Sequence, residues 1–208
     1  MSARVPLHKW LVLGGGLLAA AMVWLWPRPA LPEGVAVEAH PLSLGPASRP
    51  ALTVFSWWGC PHCQRAWERY GERWVARAKA GEMRLVLRPL ARGKAEGLAS
   101  ALLYCAPAEA RWAMVGRLFE AARQGEDRLR AEFAPLLPCA ASAATLRQTA
   151  ADLEAARRWA VAYTPTLFEA GRRVEQGRME EVMARWAALP PEAGLQEQAS
   201  PARREEGR

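Results

Sequence analysis

The sequence predicts an α/β domain in which a parallel βαβ unit is followed by a long helical stretch and then an antiparallel hairpin. Three observations carry this. The first is the apolar, β-branched and aromatic run 51–59, which ends at a glycine and opens directly into a helical pattern. The second is Met83–Leu87, a further strand pattern, with Gly81 as the stop of the intervening helix. The third is the absence of any strand signal from about 93 to 162, after which two short strand patterns flank Gly171. Strand, helix and strand in that order place the first two strands parallel in one sheet.

The helix after the first strand, from Gln64 to Ala80, carries Trp67, Tyr70, Trp74 and Ala78 at three- and four-residue spacing, which makes one apolar face. It opens with Cys60-Pro61-His62-Cys63. Pro61 suits the first turn, where its missing N–H is no loss. Cys60 then sits where unpaired backbone N–H groups and the positive end of the helix dipole converge. Both favour the thiolate, the reactive form. His62 can add charge or a hydrogen bond to the same sulfur. Cys63, one turn further in, is expected to be less exposed and to act as the resolving thiol. A CxxC is also half of a zinc site, but the remaining ligands are wanting: Cys105 and Cys139 lie far apart in helical sequence, and His8 and His40 fall outside the expected domain. His40 is expected to be solvated.

These residues resemble a family. Leu44-Gly45-Pro46-Ala47 leading into Leu52–Phe55 and then Cys60-Pro61-His62-Cys63 is similar to the DsbA-like thiol:disulfide interchange proteins of the thioredoxin superfamily. A second match, Tyr163-Thr164-Pro165-Thr166-Leu167-Phe168, resembles that family's cis-proline loop. The resemblance spans about Leu44 to Leu189. It implies a thioredoxin fold with a helical insertion, a redox disulfide Cys60–Cys63, and a client backbone held in an extended pose by Thr164 and Pro165. It implies no cofactor and no metal. Its partners would be exported cysteine-containing proteins and a membrane quinone-linked re-oxidase of the DsbB or vitamin K epoxide reductase-like type. In one respect the chain departs from thioredoxins. They carry a buried acid six residues before the first cysteine, where this chain has Val54, leaving Glu68 or a water to move the proton of Cys63.

Composition bounds the rest. The 208 residues suit one domain with accessory segments. Of 28 basic residues only Lys9, Lys79 and Lys94 are lysine, and Asn and Ile are absent; a G+C-rich genome or selection against thermolabile residues would both produce this. The net charge is +7, but the arginines are scattered among glutamates. With no basic run carrying interleaved aromatics, nucleic-acid binding is not expected. Attraction to an anionic membrane surface is compatible with the charge.

In chain order, residues 1–9 carry Arg4 and Lys9 and are expected to be cytoplasmic. Residues 10–26, WLVLGGGLLAAAMVWLW, hold no charge and would span about 25 Å as a helix, the short end for a membrane span. Trp10, Trp24 and Trp26 mark its ends, and the basic residues before it put the remainder outside the cytoplasm. A single membrane anchor is expected. The rival is a signal peptide cleaved near Ala19–Ala21, which would leave an apolar start. Either places the dithiol where disulfides persist. Residues 27–50 are Pro-rich and read as a semi-rigid linker, with Val35–Val37 as a possible edge strand. The catalytic domain is expected over 51–189, as a monomer.

Within the insertion at about 93–162, four helices are expected: Lys94–Ala106, Ala108–Arg123, Asp127–Leu137 and Ser142–Val161. The last would bury Leu146, Thr149, Leu153, Ala156 and Trp159 or Ala160. Cys105 and Cys139, the two remaining cysteines of an exported chain, are expected to form a structural disulfide there. Thr166–Ala170 and Arg172–Glu175 make the hairpin, Met179–Ala188 the final helix, and 190–208 a polar tail.

The function expected is donation of disulfides to exported proteins. A reductase or isomerase of the same fold, for example in cytochrome c maturation, and a copper or zinc metallochaperone using Cys60, His62 and Cys63 are the alternatives.

Overall fold

A computed structural model of the protein describes residues 40–188. The expected membrane anchor, the Val35–Val37 strand and the polar tail lie outside these residues. Among the described residues no helix is long and apolar enough to cross a membrane.

The centre is a five-stranded mixed sheet of order β1-β3-β2-β4-β5. Strands β2 (Ala51–Trp57) and β3 (Arg84–Leu90) are parallel, with Val54 opposite Leu87. Strand β4 (Thr166–Glu169) runs antiparallel to β2 and pairs with β5 (Arg172–Arg173) across a turn. Strand β1 (Ser43–Leu44) closes the other edge against β3. The packed domain therefore begins before Ala51: Leu42 is buried, and its carbonyl accepts from Leu87 N–H at 3.0 Å. That same bond explains why β3 continues through Arg88-Pro89, where the sequence suggested an end. Residues two apart point the same way, so Pro89 turns its nitrogen toward the edge that the two-residue β1 no longer covers, and no ladder bond is lost.

The CPHC helix begins at Pro61. It runs as α1 (Pro61–Ala66), a π-helical turn (Trp67–Gly71) and α2 (Glu72–Lys79). Gly71 is required there, because a Cβ would lie 2.7 Å from the Trp67 ring. Tyr70, Trp74 and Ala78 are buried as the spacing predicts, while Trp67 is half-buried and stacks on Trp112. The insertion consists of α3 (Lys94–Cys105), α4 (Ala108–Gln124), α5 (Glu126–Glu132), α6 (Leu137–Ala140) and α7 (Ala143–Arg158); a 3-10 turn at Ala134–Leu136 splits the expected third helix around Pro135. Helix α8 (Met179–Ala187) ends the domain.

Alternation along β2 sends Leu52 and Val54 into the main core, with Trp74, Leu102, Val115 and Val182, and sends Phe55 to the other face, against Ala155, Ala156, Trp159 and Phe168. The buried face of α7 is displaced from the expected one. Leu146 is 53% exposed, and Thr145 and Asp152 are buried instead. The apolar stripe was misleading because α7 turns a carboxylate, Asp152, inward to meet Arg88 and His40.

Candidate active site

Strand β2 delivers the chain to the turn Trp58-Gly59, and Cys60 becomes the N-cap of α1, with extended φ/ψ of −89° and 114°. Trp58 anchors this turn: its Nε1–H donates to Ser100 Oγ of α3 at 2.8 Å, and its ring meets Phe119 of α4 edge-on. Gly59 has no room for a side chain, since a Cβ would stand 2.7 Å from both Glu96 Oε1 and the Trp57 ring. Cys60 and Cys63 are free thiols, 6% and 3% exposed. The Thr164–Pro165 peptide is cis, and the Cys60 thiol donates to the Thr164 carbonyl at 3.2 Å. The two motifs, a hundred residues apart in sequence, thus meet at one sulfur.

Their environments separate the two thiols. Burial acts to raise the Cys60 pKa, but hydrogen bonds from the Thr164 side chain, from the backbone and thiol of Cys63 and from the backbone of His62 outweigh it, and the net shift is downward from 9.0. Cys63 lies inside the helix against the core. Burial, and then the negative charge of Cys60, push it up to about 12, against lowering hydrogen bonds from the Trp57 backbone and the Ser56 hydroxyl. The largest lowering cause at Cys60 is Thr164, and the backbone of the helix start, at Cys63 and His62, adds to it. His62 acts on the sulfur through its backbone. Its ring is exposed, with Nδ1 3.0 Å from Arg65 Nη2. Arginine can only donate, so Nδ1 accepts and the ring proton is on Nε2.

Position 54 is indeed apolar at the back of the dithiol. Ser56, two residues on and on the same face of β2, supplies the polar group near Cys63. The sequence held that signal in the period-two alternation, since residues 54 and 56 share a face. Glu68 is exposed and accepts from Gln64 Nε2 at 2.8 Å. Among the described residues no group of three or more His, Cys, Asp or Glu is placed to hold a metal ion.

Beside the dithiol is a groove of about 400 Å³. One wall is His62, Arg65 and Arg69 of the CPHC helix; the other is Tyr163, Thr164 and Pro165; Met179 and Met183 supply apolar surface. Glu180 is held at its edge by Tyr70 Oη–H at 2.5 Å and Arg69 Nη1 at 2.7 Å.

Away from the dithiol, Cys105 and Cys139 are joined by a disulfide that ties α3 to α6. His40 is a correction: it is 6% exposed and belongs to a buried polar cluster. Leu42 N–H donates to its Nδ1 at 3.2 Å, so Nε2 carries the proton and donates to Asp152 Oδ1 at 2.9 Å. Arg88 reaches the same oxygen at 3.2 Å, and Tyr104 donates to Asp152 Oδ2. Burial and the Asp152 carboxylate push the Tyr104 pKa up, which keeps its hydroxyl a donor. Sequence reading missed this cluster because its four members come from four separate segments of the chain.

The fold and the dithiol define the class: a thioredoxin-fold protein with a CxxC at a helix start, a facing cis-proline and a helical insertion. Residues 44–186 match the thioredoxin family model Thioredoxin_4, and the chain belongs to that family. Its architecture is that of the DsbA-like members. The reduced DsbA1 of Neisseria meningitidis superposes with a TM-score of 0.55 at 16% identity, over 74% of this chain and 85% of that one. MdbA of Actinomyces oris, a thiol-disulfide oxidoreductase, gives 0.54 at 15% identity, over 73% and 84%. The catalytic domain of Proteus mirabilis ScsC gives 0.52 at 15% identity, over 74% and 93%. At these identities the likeness is one of fold. No curated protein sequence matches the chain.

Proposed function

We propose that this protein is a membrane-anchored, extracytoplasmic thiol:disulfide oxidoreductase that donates disulfides to exported proteins. The observation that carries the reading is the split between the thiols: Cys60, capping a helix and facing Thr164-Pro165, has a lowered pKa, while Cys63 behind it is pushed up to about 12.

In the first step a client thiolate attacks the Cys60 sulfur of the oxidised protein. The Cys60–Cys63 bond breaks, and Cys63 leaves and takes up a proton beside the Ser56 hydroxyl. In the second step the client's other thiolate attacks the client sulfur of the mixed disulfide and expels Cys60 as thiolate. The client loses two electrons and the dithiol holds them. A lowered Cys60 pKa makes it a good leaving group and stabilises the reduced form, which raises the reduction potential. A membrane quinone-linked re-oxidase of the DsbB or vitamin K epoxide reductase-like type would then remove the electrons. The uncharged segment 10–26 behind two basic residues supports anchoring with the domain outside.

The test is trapping together with a potential. Cys63→Ala is expected to accumulate client mixed disulfides through Cys60, and Cys60→Ala none. Equilibration with glutathione is expected to give a potential above the glutathione couple. Equal trapping by both variants would overturn the roles. A potential near that of thioredoxin, about −270 mV, would make the protein a reductase.

A further inference from the structure

We infer that the groove beside the dithiol selects client segments that carry an acidic side chain next to the reacting cysteine, and that Arg65 reads that charge. The inference rests on the proposed function and names its substrate class.

Charge in the groove is unevenly compensated. Its carboxylate, Glu180, accepts from the Tyr70 hydroxyl and from Arg69 at Oε1, and the Arg69–Glu180 ion pair is internally neutral. Arg65 differs. It lies on α1, two residues beyond Cys63, is exposed, and its bonded partner is a ring nitrogen of His62. Accepting a hydrogen bond, that neutral nitrogen orients the guanidinium without cancelling its charge. Among the described residues Arg65 forms no ion pair. A cation without an ion-pair partner thus lines the groove together with Thr164 and Pro165.

A client strand lying along the Thr164-Pro165 loop with its sulfur on Cys60 places its neighbouring side chains over this groove. A carboxylate there meets Arg65, whose planar fork suits it. A cationic side chain meets Arg65 instead, while the groove's own carboxylate, Glu180, already has Arg69 as its ion-pair partner. The net charge of +7 on the whole chain acts in the same direction at longer range. Arg65 is exposed, so this attraction is screened as salt is added.

The experiment uses the oxidised full-length protein and two dithiol peptides identical but for Glu or Arg beside the first cysteine. Each rate is divided by that peptide's rate with an uncharged small disulfide, hydroxyethyl disulfide, which removes the effect of the substitution on the peptide thiol itself. At low ionic strength the Glu peptide is expected to react about five-fold faster, with the ratio shrinking as salt is added. In Arg65→Gln the ratio should fall toward one, and in Arg65→Glu it should invert. Because the readout is a ratio within each variant, a general effect of the substitution on the dithiol cancels. Equal normalised rates in the wild type, or a preference that survives Arg65→Glu, would overturn the inference and leave the proposed function standing. Failure of both peptides to reduce Cys60–Cys63 would overturn both.

Discussion

The split between the thiols gives the reduced domain a stability maximum in pH. Folding takes two cysteines of ordinary pKa 9.0 and moves Cys60 down and Cys63 up to about 12. A depressed acid contributes stability that is fully present above its unfolded pKa and lost as pH falls through its folded one. Cys60 therefore makes the reduced domain more stable as pH rises toward 9. A raised acid works oppositely: Cys63 contributes below 9, and that contribution is lost between 9 and 12. The disulfide form has neither thiol to titrate, so reduced minus oxidised stability isolates the pair. It should peak near pH 9, where folded and unfolded chains hold equal numbers of thiol protons. Above the peak the unfolded chain holds fewer, the limiting slope is about 1.36 kcal/mol per pH unit, and the loss between pH 9 and 11 is about 2 kcal/mol. Urea denaturation of both forms from pH 6 to 11 measures the difference. A flat difference, or one still rising past pH 9, would refute the assignment of the buried thiol to Cys63.

Two further outcomes follow from the scaffold. The Cys105–Cys139 bond spans a sequence separation of 34, for which loop-closure entropy gives about 4 kcal/mol. Cys105→Ser with Cys139→Ser should lower the melting temperature by roughly 10 °C, and a shift of a degree or two would show that the bond constrains little. Asp152→Ala leaves Arg88 and His40 buried without their anion and should lose about 3–5 kcal/mol by denaturant midpoint. A loss below about 1 kcal/mol would mean that the cluster is neutral to stability.

What the sequence made legible was local. The βαβ order, the insertion and the hairpin follow from periodicity and from Gly81 and Gly171, and the sheet order observed agrees with them. Cys60 and Cys63 follow from spacing alone. Thr164 and Pro165 required the resemblance, because no local pattern announces that a Thr-Pro will fold back onto a sulfur a hundred residues earlier. The misses share a physical cause. Asp152, His40, Arg88 and Tyr104 each look like solvated residues in their own segment, and the cost of burying each is offset largely by the others. In α7 the same cluster overrode the apolar period and left Leu146 outside. The edge strand Ser43–Leu44 was hidden because two residues carry no alternation, and its place is set by Leu42 packing rather than by strand propensity.

The depth of Cys63 also bears on the direction of electron flow. Once a client is linked to Cys60, two thiolates compete for the mixed disulfide: the client's second cysteine, which completes oxidation, and Cys63, which returns the client reduced. At pH 7 a thiol of pKa 9.0 is about 1% thiolate, whereas one near 12 is about a thousand-fold less ionised. The more basic thiolate is intrinsically the better nucleophile, which restores a factor of roughly 15–30. A disadvantage of about thirty-fold or more remains for Cys63. Part of it vanishes in the mixed disulfide, because the negative charge of Cys60 is then gone, but burial is the largest cause and it persists. A reductase or isomerase depends on prompt attack by this second cysteine to release its client. A disulfide donor gains from its reluctance, and a hydroxyl at Ser56 in place of a carboxylate leaves no strong base behind Cys63 to hasten it.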